Sequence, residues 1–179
     1  MFTRDLGQTV TGEGLNRMEA EFVTEGLTVQ GEDTSPETRM SDFLNGSARS
    51  VEIQPRGVRM RLGSVHDLSE TMGGLTKAQI LFVIPIYEPE PLERGDGRAL
   101  SWLTKYRCWV AVGQYHMEGY VHAEQYRDPR LLLRALEQRQ FLPISDVELT
   151  YLDGTTAQRP TVIVNRWRLE LLSVPKPRW

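Results

Sequence analysis

The chain has 179 residues and a net charge of −3, with 40% apolar and 25% charged residues. This is the composition of an ordinary globular protein, and its slightly acidic balance gives no global electrostatic reason to bind nucleic acid. Its one cysteine, Cys108, excludes an internal disulfide and a cysteine-rich zinc site and fits a reducing, cytoplasmic setting.

In chain order, residues 1–15 carry Gly7, Gly12 and Gly14 among polar side chains. They predict a flexible arm without the apolar core of a signal peptide. A first unit is expected over 16–86. Within it, Met18, Ala20, Phe22, Leu27 and Val29 predict one strand that changes face near Gly26. Asp33-Thr34-Ser35-Pro36 signals a helix start, with Met40, Phe43 and Leu44 on one apolar face and Asn45-Gly46 as the stop. Val51-Glu52-Ile53 and residues 58–62 predict two strands divided by a turn at Pro55-Arg56-Gly57. Residues 64–75 predict a loop, and the β-branched run 80–86 a strand buried on both faces. The longest apolar stretch, 78–87, is broken by Gln79 and Pro85 and falls far short of the ~20 residues that span a bilayer, so no transmembrane segment is expected.

Residues 87–99 hold Pro89 and Pro91, two glycines and mixed charge, and predict a linker. A second unit is expected over 100–174. Met117, Gly119, Val121 and Ala123 alternate as a strand. Asp128-Pro129 starts a helix containing Leu132, Leu133, Ala135 and Leu136. Residues 147–152 form a strand that ends at the turn signal Asp153-Gly154, and 160–164 and 166–174 complete the unit. Residues 175–179 predict an extended tail.

These elements recur. Glu25-Gly26-Leu27-Thr28-Val29 and Glu118-Gly119-Tyr120-Val121 each precede a proline, a short helical pattern and Val51-Glu52-Ile53 or Val147-Glu148-Leu149. An internal duplication is therefore expected. So many strands so closely spaced leave no room for parallel crossovers. The expected architecture is mainly β with short helices, as two tandem small antiparallel β-barrels.

Leu131-Leu132-Leu133-Arg134-Ala135-Leu136 followed by Val147-Glu148-Leu149-Thr150-Tyr151-Leu152-Asp153-Gly154 resembles the helix and first strand of Sm-like barrels. Val162-Ile163-Val164-Asn165-Arg166-Trp167-Arg168-Leu169 resembles their closing strands. Met117-Glu118-Gly119-Tyr120-Val121 resembles the glycine-containing second strand, here placed before the helix, so the order is permuted. The chain is also similar to uncharacterised bacterial proteins with tandem small barrels. The resemblance implies a permuted Sm-like fold and an RNA-binding module as one functional reading.

No catalytic motif occurs. There is no G-x-S-x-G, Walker loop or dinucleotide fingerprint. His66, His116 and His122 lack a clustered further ligand, and Cys108 reads as a small buried hydrophobe. The expectation is a protein that is not an enzyme, with no cofactor and no metal. Arg59 and Arg61 alternate on one predicted strand, as do Arg166 and Arg168, and such pairs suit an anionic ligand such as a nucleotide. Trp102, Trp167 and Trp179, the last on a tail with Lys176 and Arg178, are residue types enriched at binding interfaces. The candidate partner-binding residues are therefore Arg59, Arg61, Trp102, Arg166, Trp167, Arg168, Lys176, Arg178 and Trp179. The functional reading is a non-enzymatic adaptor or accessory subunit that stabilises a larger protein assembly from its cytoplasmic side. Basic-aromatic tails suit a membrane interface, which extends this to a membrane-bound assembly; the family resemblance, rather than any residue, extends it further to a photosynthetic or respiratory type. The alternatives are an Sm-like RNA-binding module and a barrel that senses an anionic nucleotide ligand.

Overall fold

The computed structural model describes residues 15–61, 63–68, 70–88 and 103–175. The arm over 1–14, linker residues 89–99, Trp102, Lys176, Arg178 and Trp179 lie outside them. Eleven strands form one antiparallel sheet that is not closed, with two short α-helices, in keeping with a mainly β chain. No described helix is long and apolar enough to cross a membrane.

The first half holds β1 (Asn16–Thr24), β2 (Leu27–Ser35), α1 (Met40–Asn45), β3 (Ser50–Met60), β4 (Val65–His66) and β5 (Gly73–Thr76). A 3₁₀ turn (Lys77–Gln79) and β6 (Ile80–Tyr87) complete it. Three local readings of the sequence change here. Where one strand was expected around Gly26 there are two, because the Thr24 hydroxyl closes a turn. It accepts from Gly26 N at 3.3 Å and Leu27 N at 3.1 Å and donates to Leu27 O at 3.0 Å. Asp33 to Ser35 end β2 rather than start a helix, and α1 begins at Met40 with no side-chain cap. Residues 51–60 are one strand, not two. Pro55 and Gly57 are absorbed at a register shift opposite Gly31 and Gln30, where a missing N–H is tolerated. The expected loop over 64–75 also contains β4 and β5.

The second half holds β7 (Thr104–Val112), β8 (Tyr115–Ala123), α2 (Pro129–Leu136), β9 (Phe141–Thr150) and β10 (Thr156–Asn165). A second 3₁₀ turn (Arg166–Arg168) leads into β11 (Leu169–Ser173). Here the helix signal reads true. Pro129 opens α2, and the Asp128 side chain accepts from Arg130 N at 2.9 Å. Arg166 to Arg168, expected in a strand, form the turn because Asn165 Oδ1 accepts from Trp167 N at 3.2 Å.

The halves follow one plan, with strand orders β6-β1-β2-β3 and β11-β7-β8-β9-β10. β4 and β5, both paired to β3, take the course that β10 runs unbroken beside β9. The irregularities recur as well. Ile80 faces Thr24 and Phe82 faces Val23 across a register shift, as Leu169 faces Val112 and Leu171 faces Ala111. The turns after β3 and β9 close identically, with Met60 N bonded to Ser64 O and Tyr151 N to Thr155 O, both at 2.8 Å. Gly63 and Gly154 hold the positive φ that these turns need. Gly31 and Gly119 also correspond. A Cβ at Gly31 would meet Ile53 Cδ1 at 2.9 Å, and one at Gly119 would meet Ile144 Cγ2 at 2.8 Å. The sequence comparison that set Gly26 beside Gly119 was therefore out of step, because Gly26 lies in the β1–β2 turn.

The halves join where β6 pairs with β10, Val83 opposite Ile163 and Phe82 opposite Val164. Side chains are exchanged across this seam. Val23, Leu81, Phe82 and Ile84 pack into the second half's core, while Phe141 and Ile163 pack into the first half's. Two asparagines fasten it. Asn45 Nδ2 donates to Phe141 O at 2.8 Å while its Oδ1 accepts from Phe141 N at 2.9 Å. The fully buried Asn165 donates to Lys77 O at 2.9 Å and Ile80 O at 2.8 Å. Burial without loss of hydrogen bonds makes this contact core-like.

Candidate interaction surface

The 3₁₀ turn after β10 is held by its backbone and by Asn165, which leaves its middle side chain outward. Arg166 N donates to Gln140 O at 2.7 Å and Arg166 Nε to Arg139 O at 3.3 Å. Trp167 is 65% exposed as a result, and on the strand that follows Leu171 is 49% exposed. Arg168 pairs with Glu25 of the first half. Leu171 thus stands at the open end of the sheet, on β11, whose described pairing is with β7 alone, while Trp167 projects from the turn that leads into that strand.

The solvent face of β7 and β8 carries mixed aromatic and charged groups. Trp109 and His116 rings lie 5.2 Å apart. Arg107 meets Glu118 at 2.7 Å, and Lys105 lies 5.7 Å from the Tyr120 ring and 3.0 Å from Asp146. His122 Nε2 lies 2.7 Å from Ser145 Oγ. Burial and the Lys105 charge push the His122 pKa below its ordinary 6.5. The corresponding face of the first half is a charge network. Glu32 meets Arg17 at 2.7 Å and Arg56 at 2.6 Å, and Gln30 donates to Glu19 at 2.9 Å. Burial works against the Glu32 charge, but the hydrogen bonds and charges of Arg17 and Arg56 hold its carboxyl below the usual range.

The arginine pairs are arranged differently from the expected strand faces. Arg59 is exposed on β3, between Thr28 of β2 and Val65 of β4. Arg61 lies beyond the strand, with its guanidinium on Gln114 of the second half. Arg166 and Arg168 sit in a 3₁₀ turn with separate partners. Strand alternation therefore does not gather either pair into an anion grip. Of the named candidates among the described residues, Trp167 is the one that stands as a large exposed apolar group. Leu171, Trp109 and His116 were not among the partner-binding candidates read from the sequence. The signal for Trp109 and His116 was period-2 alternation along β7 and β8, whereas exposure of Leu171 depends on which strand lacks a neighbour.

Among the described residues no group of three or more His, Cys, Asp or Glu is placed to hold a metal ion. Cys108 is buried, and desolvation pushes its thiol up to about 11, which makes it unreactive near neutral pH. Comparison with protein-family models, with curated proteins and with solved structures yields no match.

Proposed function

We propose that the chain is a non-enzymatic adaptor or accessory subunit of a larger protein assembly, and that it docks through the open end of its second half. The observation that carries this reading is the exposure of Leu171 on β11, a strand with one described neighbour, and of Trp167 in the turn that leads into it. Large apolar side chains at an open edge form an association surface, since an added strand satisfies the backbone while the side chains bury area. The charge network of the first half is internally neutralised and offers a partner less.

We also propose that each half is a small barrel-like unit of the Sm-like kind and that the two arose by internal duplication. The support is the recurrence of register shifts, of Gly31 and Gly119, and of the Gly63 and Gly154 turns.

The test is purification of the tagged chain from its own cell, as wild type and as a Trp167→Ser, Leu171→Asp double variant. The expected result is a defined set of proteins, held in fixed ratio to the wild type and lost from the variant, with equal melting temperatures for the two purified chains. Co-purification of RNA alone, released at raised salt, would overturn the adaptor reading in favour of RNA binding. An identical protein set for both chains would remove the second half's open end as the docking surface.

A further inference from the structure

The two halves share a bulge but differ in its backbone. In the second half one residue of β8, Gly119, faces two of β9, Asp146 and Val147, because the pairing passes from Glu118 opposite Glu148 to Tyr120 opposite Ser145. In the first half Gly31 faces Pro55 and Arg56 in the same way. Asp146 is the one non-glycine residue with a positive φ, 52°, among the described residues. A proline ring holds φ negative, so the bulge as the first half builds it does not require this conformation, and backbone strain of this kind gathers at functional sites. Its effect is on side chains. Ser145 meets His122 and Asp146 meets Lys105 on the solvent face, while Ile144 and Val147 on either side are buried. Strict alternation would have sent Ser145 and Asp146 to opposite faces.

We propose that Ser145 is an acyl-acceptor site, a nucleophilic serine with His122 as its base, modified covalently by an activated acyl donor: an ester or thioester with a good leaving group. His122 Nε2 lies 2.7 Å from Ser145 Oγ, within the reach a base needs. With the ring proton on Nδ1, Nε2 accepts from the hydroxyl. In the step itself Oγ attacks the carbonyl carbon and its proton passes to Nε2. The tetrahedral intermediate then collapses, the bond to the leaving oxygen or sulfur breaks, and that atom takes the proton from His122. The products are acyl-Ser145, the free alcohol or thiol, and a neutral imidazole. Burial and the Lys105 charge keep His122 below 6.5, so the ring is neutral and able to accept a proton near neutral pH, while the Asp146 carboxylate favours the imidazolium formed during attack. Lys105, opposite His122 on β7 and 3.0 Å from Asp146, supplies positive charge beside the developing oxyanion.

The first half keeps the frame without the chemistry. With Gly31 in the place of Gly119, the registers set Thr34 in the place of His122, Gln54 in that of Ser145 and Arg17 in that of Lys105. The strand plan therefore needs neither the imidazole nor the hydroxyl. The charged and titratable groups around His122 are Lys105 on β7, Asp146 on β9, and Tyr120 and Glu124 two residues to either side of it. The site uses none of the residues of the open end. Acylation modifies the chain and requires no turnover, so the proposal holds independently of the adaptor reading.

Labelling of the full chain with 4-nitrophenyl acetate tests it. Nitrophenolate release gives the rate, and peptide mass mapping after an acid quench gives the acetylated residue. The wild type is expected to carry its first acetyl group on Ser145. Ser145→Ala should carry none at that position, and His122→Gln, which keeps a hydrogen-bonding side chain but removes the base, should acetylate Ser145 at least about tenfold more slowly. Melting temperatures of both variants serve as the control for folding. The wild-type rate at Ser145 should rise with pH through a pKa below 6.5 and then level, as expected of His122 acting as the base. Acetyl groups found on lysines with Ser145 unmodified overturn the proposal, a result that needs no variant. So does labelling of Ser145 at an unchanged rate in His122→Gln, since the serine would then owe nothing to its neighbour.

Discussion

Phe82 and Leu171 hold the same place in their halves, opposite Val23 on β1 and Ala111 on β7. Phe82 is fully buried in the second half's core, and Leu171 is half exposed at the end of the sheet. The same strand position is thus a core in one half and a surface in the other. What separates them is a neighbour, β10, with the two asparagines that fasten it. A repeated plan makes seams and edges from the same strands, and the side chains are tuned to which one each strand becomes.

That comparison predicts its largest difference at these two residues. Phe82→Ala should cost about 3–5 kcal/mol, because it empties a packed site in the second half's core. Leu171→Ala should cost below about 0.5 kcal/mol in the monomer, as surface changes usually do. Denaturant unfolding measures both, and similar costs would mean that β11 is covered in solution.

The two corresponding glycines sharpen the contrast between the halves. A Cβ at Gly119 meets the Ser145 carbonyl at 2.8 Å and Ile144 Cγ2 at 2.8 Å, so β9 itself must shift. At Gly31 the nearest atom is the movable Cδ1 of Ile53, and the Gln54 carbonyl is 3.2 Å away. Gly119→Ala should cost about 2–3 kcal/mol, in the range of overpacking, and Gly31→Ala roughly half as much. The reverse order would show that the first half is the more rigid.

Next comes the seam's polar fastening. Asn165→Ala leaves the buried Lys77 and Ile80 carbonyls without their donors and should cost about 2 kcal/mol. Thr76→Ala, at the corresponding exposed position of β5, should change stability by less than about 0.5 kcal/mol. Equal effects would remove the distinction between seam and edge.

The smallest effect concerns pH. The folded pKa of His122 lies below 6.5, so the unfolded chain takes up the proton first. The stability this residue contributes is present above pH 6.5 and is lost as the pH falls from there through the folded pKa. The denaturation midpoint should decline less over that interval in His122→Gln than in the wild type. A decline of equal size would place the pH sensitivity elsewhere.

How much of this was legible in the chain can be seen residue by residue. Cap and turn chemistry is local, so Asp128-Pro129 announced α2 and Asp153-Gly154 the turn after β9. The dense apolar run at 80–86 announced a strand covered on both faces, which holds for residues 80–84 but not for the exposed Ile86, and it did not announce by what. The strand correspondence between the halves is not the one that the Glu-Gly pairs suggest. Glu-Gly appears at Glu25-Gly26 by coincidence of sequence, whereas the glycine that matters is set by how closely β3 or β9 approaches, which places Gly31 with Gly119. The division of residues 51–60 into two strands failed because Pro55 and Gly57 are turn residues by propensity but bulge residues once β2 lies beside them.

The sequence by itself determined the mainly β character, α2 and the turn at Asp153-Gly154, because each rests on alternation or on side chains within a few residues of one another. Only the tertiary structure decided that β6 and β10 join, that Asn45 and Asn165 are fasteners rather than helix stops or surface amides, and that Trp167 and Leu171 face outward. Those outcomes depend on which strand edge finds a neighbour. Pairing between strands some 80 residues apart leaves no local mark on either one.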